Sequence, residues 1–253
     1  MSLTPEIKKV IKNFLNFNNI SNEECTYLET GLSMGESIRN MLSLNFKKVI
    51  SIEIDKGRVD KASDLFKNEI LNSKVLLIHG DSQKKIKEIF NQDINIIFLD
   101  AHTSGIEHDV NTIAPLENEL NFLIDKINDK QLIIIDDFIK IRNSFLFTNG
   151  YDWKSKFRYE KFKKIISKKE LNSFEIFYSD RPNSYLLITK NKNFKIEKKL
   201  LLKNLFFRFL SIKFYLKYYK FLVYRIIKKL IIFLTSENFF NNLKKKLFLS
   251  NKS

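Results

Sequence analysis

Short apolar runs alternate with amphipathic segments over the first three-quarters of the chain, the pattern of strands separated by helices. Thr4-Pro5-Glu6 reads as an N-cap, a proline in the first helical turn and an early acid, so a helix is predicted through about Asn16. A short apolar strand, Cys25 to Leu28, breaks at Gly31, a helix opens near Gly35, and a second apolar strand, Val-Ile-Ser-Ile-Glu-Ile-Asp, ends in acid at Asp55. Val59 to Phe66 reads as a helix and Lys74 to His79 as a strand. Gly80-Asp81-Ser82-Gln83 is then a turn into a helix over Lys84 to Phe90. Ile94 to Leu99 is a buried strand ending in Asp100. Pro115 to Ile127 is an amphipathic helix with Leu116, Leu120, Leu123 and Ile124 on its apolar face, and Leu132 to Ile135 is a strand ending in Asp136-Asp137. Phe174 to Tyr178 and Tyr185 to Thr189, joined through Asp180-Arg181-Pro182-Asn183, read as a closing hairpin.

Strands separated by helices imply an α/β fold with a mostly parallel sheet and right-handed crossovers. Ligands of such sheets bind beyond the strand carboxyl ends. Glu29, Glu53, Asp81, Asp100, Asp136 and Asp137 all fall there, an acid at each of five strand ends.

Composition divides the chain. All six glycines and all three prolines lie at or before Pro182, and from Asn191 onward there are 16 Lys and Arg against two Glu, a net of +14. The remainder carries 28 basic and 27 acidic residues, a net of +1. A boundary near Lys190 therefore separates a domain over 1–190 from a basic extension over 191–253. The single cysteine, Cys25, lies in the first strand, which excludes an intrachain disulfide and makes a reducing, cytoplasmic compartment the expectation. The amino terminus has no apolar signal region.

Chemistry enters at the first turn. Gly31 and Gly35 let backbone approach a ligand closely, and the helix start behind them offers free N–H groups. Glu53, at the end of the second strand, is placed to accept hydrogen bonds from two ribose hydroxyls, so a nucleoside-containing cofactor is implied. The glycines are four apart, not in the Gly-x-Gly-x-x-Gly spacing of a pyrophosphate turn, and the preceding Glu29 suits a cationic group. Such a turn also occurs as a plain strand-to-helix connection.

The unit Glu29-Thr-Gly31-Leu-Ser33-Met-Gly35 with Ser51-Ile-Glu53 resembles the first motifs of class I S-adenosylmethionine-dependent methyltransferases. Gly80-Asp81-Ser82-Gln83 looks like the third-strand turn of catechol O-methyltransferase-type enzymes, and Asp136-Asp137 is similar to the paired acids of macrocin-type sugar O-methyltransferases. The order Glu-Thr-Gly, Ser-Ile-Glu, Gly-Asp-Ser, Leu-Asp-Ala-His-x-Ser-Gly and Ile-Asp-Asp also resembles uncharacterised bacterial methyltransferase-like proteins, over about Glu24 to Lys190. The resemblance implies a Rossmann-like seven-stranded sheet with one antiparallel strand. It also implies S-adenosyl-L-methionine bound by Glu29, Gly31, Ser33, Gly35, Glu53, Asp81, Ser82, Gln83 and Asp100. It further implies a Mg2+ ion on Asp100, Asp136 and Asp137. Three carboxylates converging at strand ends repel one another unless a cation holds them, and oxygen-only ligands suit a hard ion. Asp136 or Asp137 capping a following helix is the plainer alternative.

His102, two positions after Asp100, is placed to remove an acceptor proton; a ligand role or a loop hydrogen bond are its other readings. His108 reads as a solvated loop residue and His79 as a packing residue. Aromatics in 145–156, including Tyr151 and Trp153, suit either stacking on an acceptor or packing on the sheet. The expected function is metal-assisted O-methylation of a small molecule or glycan precursor. Its rivals are a non-catalytic adapter with this fold and a methyltransferase acting on RNA.

The extension reads as helical from Lys195 to Leu234, with lysines on one side and Tyr, Leu, Ile and Phe on the other. No uncharged apolar run approaches the length of a membrane span. An anionic membrane surface and protein packing, on the domain or in a homodimer, are the two partners that fit. Nucleic acid is the weakest, because the extension is poor in Arg and lacks a sheet platform.

Overall fold

Thr4 caps the first helix, its side chain accepting from the Ile7 N–H (3.5 Å), and Pro5 opens α1 (Pro5–Phe17). The computed structural model describes residues 3–101, 115–138, 164–167, 171–178 and 183–210. The chain continues as β1 (Thr26–Thr30), α2 (Glu36–Ser43), β2 (Lys48–Glu53), α3 (Lys56–Leu65), α4 (Lys67–Leu71), β3 (Val75–His79) and α5 (Ser82–Ile89). Then follow β4 (Ile94–Leu99), α6 (Leu116–Lys126), β5 (Leu132–Ile135), β6 (Asn172–Phe177) and β7 (Ser184–Thr189). The seven strands form one sheet in the order β3-β2-β1-β4-β5-β7-β6. Neighbours from β3 to β5 pair in parallel, and β7 pairs antiparallel with both β5 and β6.

The order reverses between β1 and β4: the chain winds outward through β2 and β3, then returns to the other side of β1. A crevice at such a reversal is where open α/β sheets bind ligands.

Side chains alternate across each strand, and here both faces are covered. Tyr27, Ile96, Phe98, Ile134 and Leu187 pack with Ile7, Ile11 and Phe14 of α1 and Met41 of α2. Leu28, Ile97, Leu99, Ile133 and Ile188 pack with Ile86 of α5 and Leu120, Leu123 and Ile124 of α6. That double burial explains why the strands read as nearly continuous apolar runs. Phe98 sits at the centre, its ring 6.4 Å from that of Tyr27 and 6.2 Å from that of Tyr185.

Capping shifts several boundaries from their predicted places. Asp55 accepts from the Arg58 N–H (3.1 Å), so α3 starts at Lys56 instead of Val59. Asp81 accepts from the Gln83 N–H (3.0 Å), drawing the start of α5 back to Ser82. The short helix α4 was not legible, having no buried residue to give it a period. His79 is exposed on the edge strand β3, not packed inside, and its Nε2 lies 3.1 Å from the Ile54 carbonyl oxygen.

Just beyond β7, residues 194–200 stay on the domain. Phe194 meets Phe14 edge-on at 5.1 Å, and Ile196 and Leu200 are buried in the same layer. A helical segment follows over 198–210; the rest of the predicted helix to Leu234 lies outside the described residues.

Phe98→Ala is expected to lower the unfolding free energy by about 3–5 kcal/mol in urea denaturation, since a buried aromatic is lost between two neighbours that cannot both close in.

Candidate active site

The turn after β1 is wedged between two neighbouring strand ends. The Gly31 N–H donates to the Ile52 carbonyl oxygen (2.8 Å), and φ at Gly31 is +88°. A Cβ there would lie 2.6 Å from the Asp100 carbonyl oxygen and 2.9 Å from its carbon, both backbone atoms. Only glycine lets β1 turn this close to the end of β4. At Gly35, φ +73°, a side chain would meet the Phe66 ring at 2.8 Å. Ser33 between them is exposed at φ +50°.

Glu53 holds this turn. Its Oε2 accepts from the N–H groups of Leu32 (3.1 Å) and Ser33 (3.4 Å), and its Oε1 from the Asp55 N–H (3.0 Å). Arg58 Nη1 stands 3.7 Å from Oε2. The carboxylate predicted for a ribose therefore faces the glycine turn from the end of β2 and is engaged with its backbone.

Glu29 lies inside β1, not beyond it, because β1 runs on to Thr30. Its side chain is fully buried, accepting from Ser51 Oγ (2.7 Å) and the Tyr27 hydroxyl (3.1 Å). Burial pushes its carboxyl up to about 7, against the opposing help of the Ser37, Ser51 and Tyr27 hydroxyls. The acid sits beneath the turn, not on its surface.

The third turn is joined to a residue that the sequence reading missed. Asn118 donates to Gln83 Oε1, tying the first turn of α6 to that of α5. Next to it, Glu119 is 1% exposed, and among the described residues neither carboxyl oxygen has a hydrogen-bond partner. Its carboxyl faces the hydroxyls of Ser82 and Thr30 without bonding either, and burial pushes it up to about 7. The signal was present: Glu119 falls on the apolar stripe of α6, between Leu116 and Leu123, where an acid has no ordinary reason to be.

Asp100, Asp136 and Asp137 come to neighbouring ends of β4 and β5. The Asp100 N–H donates to the Thr30 carbonyl oxygen (3.0 Å) and the Asp136 N–H to that of Leu99 (3.1 Å). Burial, and then the charges of Asp136 and Asp137, hold the Asp100 carboxyl well above the usual range. Asp136 Oδ1 accepts from the Tyr178 hydroxyl and from the Asp137 N–H (2.6 Å), while Asp137 Oδ1 accepts from Asn183. Among the described residues no three His, Cys, Asp or Glu side chains are arranged to hold a metal ion. Tyr178 and Asn183 were not singled out from sequence; each is brought to the acids by the β6–β7 hairpin. His102, His108, Tyr151 and Trp153 lie outside the described residues.

No family model matches the sequence, and no curated protein matches it. Solved structures do match. One, from Staphylococcus aureus, is of a protein proposed to be a caffeoyl-CoA O-methyltransferase: 14% identity over 75% of this chain and 85% of that one, with a TM-score of 0.52. A second, from Clostridium thermocellum, is of a protein proposed to be an rRNA methylase: 12% identity over 75% of this chain and 99% of that one, with a TM-score of 0.51. The fold is that of the class I methyltransferases. In this sheet the glycine turn follows β1, where the strand order reverses, between Glu53 at the end of β2 and Asp100 beyond β4.

Gly31→Ala is expected to cost at least about 2 kcal/mol in urea denaturation, because a positive φ and a backbone clash act together. Glu119 makes a pH prediction of definite sign. An acid that holds its proton more tightly folded than unfolded stabilises the fold at low pH and loses that contribution as pH rises from about 4.5 to about 7. Glu119→Gln is expected to flatten the fall in unfolding free energy between pH 5 and pH 8 by about 2–3 kcal/mol.

Proposed function

We propose that this protein is an S-adenosylmethionine-dependent methyltransferase that acts on an oxygen of a small molecule or glycan precursor. The observation that carries the reading is the glycine turn closed on Glu53 at the point where strand order reverses. Fold alone does not give activity, so the site's chemistry has to supply the case. An adenosine cofactor fits the groups present. Glu53 is an acceptor pair for two ribose hydroxyls, in exchange for the turn amides it now holds. Asp81, Ser82 and Gln83 carry polar groups of the kind that meet a base, with the Gln83 N–H held by Asp81 as the helix cap and Gln83 Oε1 accepting from Asn118. The start of α2 behind Gly31, Ser33 and Gly35 suits the amino-acid carboxylate, and the buried charge of Glu29 beneath suits its ammonium.

When bound, the cofactor supplies an electrophilic methyl whose bond to sulfur breaks as the acceptor oxygen bonds to its carbon. The chain's own work is orientation and proton handling. Among the described groups Asp100 lies nearest to this role, but burial and two neighbouring acids hold a proton on it, so it takes the acceptor's proton only after losing its own. His102, two residues on, is the other candidate.

A Mg2+ ion on Asp100, Asp136 and Asp137 would answer the repulsion among these acids. Among the described residues no three such side chains are arranged to hold a metal ion, and Oδ1 of Asp136 and Oδ1 of Asp137 accept from Tyr178 and Asn183. No step here runs through a metal.

Isothermal titration of the full chain with S-adenosylmethionine tests the reading. Binding is expected and should be weakened roughly tenfold or more in Glu53→Ala. Affinity is expected to rise between pH 6 and pH 8 as Glu29 ionises around 7, and this dependence should be reduced in Glu29→Gln. A non-catalytic adapter with this fold predicts no heat at any pH.

A further inference from the structure

The helical segment over 198–210 has two opposite apolar faces, and only one is used by the domain. Leu200 is buried, and Asn204 donates through Nδ2 to the Glu175 carbonyl oxygen (2.7 Å) and accepts from the Phe177 N–H through Oδ1 (2.6 Å). Those two residues, one helical turn apart, seat the segment on the edge strand β6. Its start is fixed to α1 by Glu197, which accepts from Lys9 (2.6 Å) and Asn13 (2.8 Å).

Leu202, Leu205, Phe206 and Phe209 follow at spacings of three, four and seven from the first, so they form a single stripe. At 3.6 residues per turn this stripe lies directly across the helix from Leu200 and Asn204. The four side chains are 59–68% exposed. A seated helix that leaves four large apolar side chains in water carries a cost that a partner removes.

Charge decides which partner. Lys199 and Lys203 border one side of the stripe and Arg208 the other. Between this helix and α1 is a groove of about 140 Å³ lined by Pro5, Glu6, Lys9, Lys199, Leu200 and Lys203, three of them lysines. The chain from Asn191 onward has a net charge of +14 where the rest has +1. A second copy would bring the same excess of positive charge against this face, whereas a lipid surface with phosphate headgroups brings the opposite sign together with an apolar interior. No helix among the described residues is long and apolar enough to cross a membrane, and an apolar stripe bordered by lysines is the pattern of a helix that lies in a lipid interface.

We propose that the segment over 198–210 docks the protein on an anionic lipid surface. Leu202, Leu205, Phe206 and Phe209 enter the acyl boundary, and Lys199 and Lys203 face the phosphate headgroups. The site at the strand ends is then held next to a membrane.

Flotation of the full chain with vesicles tests this, using phosphatidylcholine alone and phosphatidylcholine mixed with phosphatidylglycerol. Recruitment to the mixed vesicles is expected, weakening as salt is raised. Leu205→Glu with Phe206→Glu should reduce it roughly tenfold or more with an unchanged melting temperature. Lys199→Gln with Lys203→Gln, which leaves the stripe intact, should reduce the preference for the mixed vesicles. Recruitment that is absent, equal on both vesicles or untouched by the Glu variant overturns the proposal. Sedimentation gives the other overturning result: a wild-type dimer that ignores vesicles and becomes monomeric in the Glu variant would assign the stripe to a second copy.

Discussion

The close approach of Gly31 to the end of β4 is the constraint on which the site depends. A backbone carbonyl occupies the space that any side chain at Gly31 would need. Because that side chain is missing, β1 ends between β2 and β4, and the turn can be reached by Glu53 from one side and Asp100 from the other. Put a Cβ there and the backbone must shift by several tenths of an ångström between Glu53 and Asp100. The sheet makes the crevice, but this one contact sets its width.

The second consequence is electrostatic. Glu29, Glu119 and Asp100 all hold their protons more tightly than solvated acids do, in each case chiefly through burial. Their neighbours differ. Glu29 has hydroxyl donors around it, Asp100 faces two further acids, and Glu119 faces two hydroxyls that do not close on it. Such clusters weaken the fold near and above neutral pH, and they are retained where a cation or a proton in transit makes use of them. A sulfonium cofactor with its ammonium group meets that description.

Much of this was legible in the residues. Fully buried parallel strands leave long apolar runs, so β1, β2, β4 and β5 stood out, and the strand-end acids Glu53, Asp100 and Asp136 marked the rim. Capping moved two helix starts by two or three residues, because Asp55 reads as the end of a strand and Asp81 as a turn and site residue, while each caps the helix that follows. Glu29 was placed beyond its strand when it lies inside, since a five-residue strand ending in Glu-Thr does not announce its last two residues as buried. Partners that arrive through tertiary folding left no local trace: Tyr178 and Asn183 come to Asp136 and Asp137 from a hairpin over forty residues away. Glu119 did leave one, an acid on an apolar stripe, and it was passed over for the motif acids.

The two proposals rest on different parts of the structure. The rim at β1 and β4 is built from acids, while the helix beyond β7 presents Lys and Phe. The rim's identity as an adenosyl pocket is the central claim, and a crystal structure of the full chain with S-adenosylhomocysteine tests it most directly. The expected result is the ligand lying across the carboxyl ends of β1 and β2, its ribose on Glu53, with the Leu32 and Ser33 amides released from that carboxylate. A ligand bound elsewhere, or Glu53 still closed on the turn with no adenosine beside it, would contradict the claim.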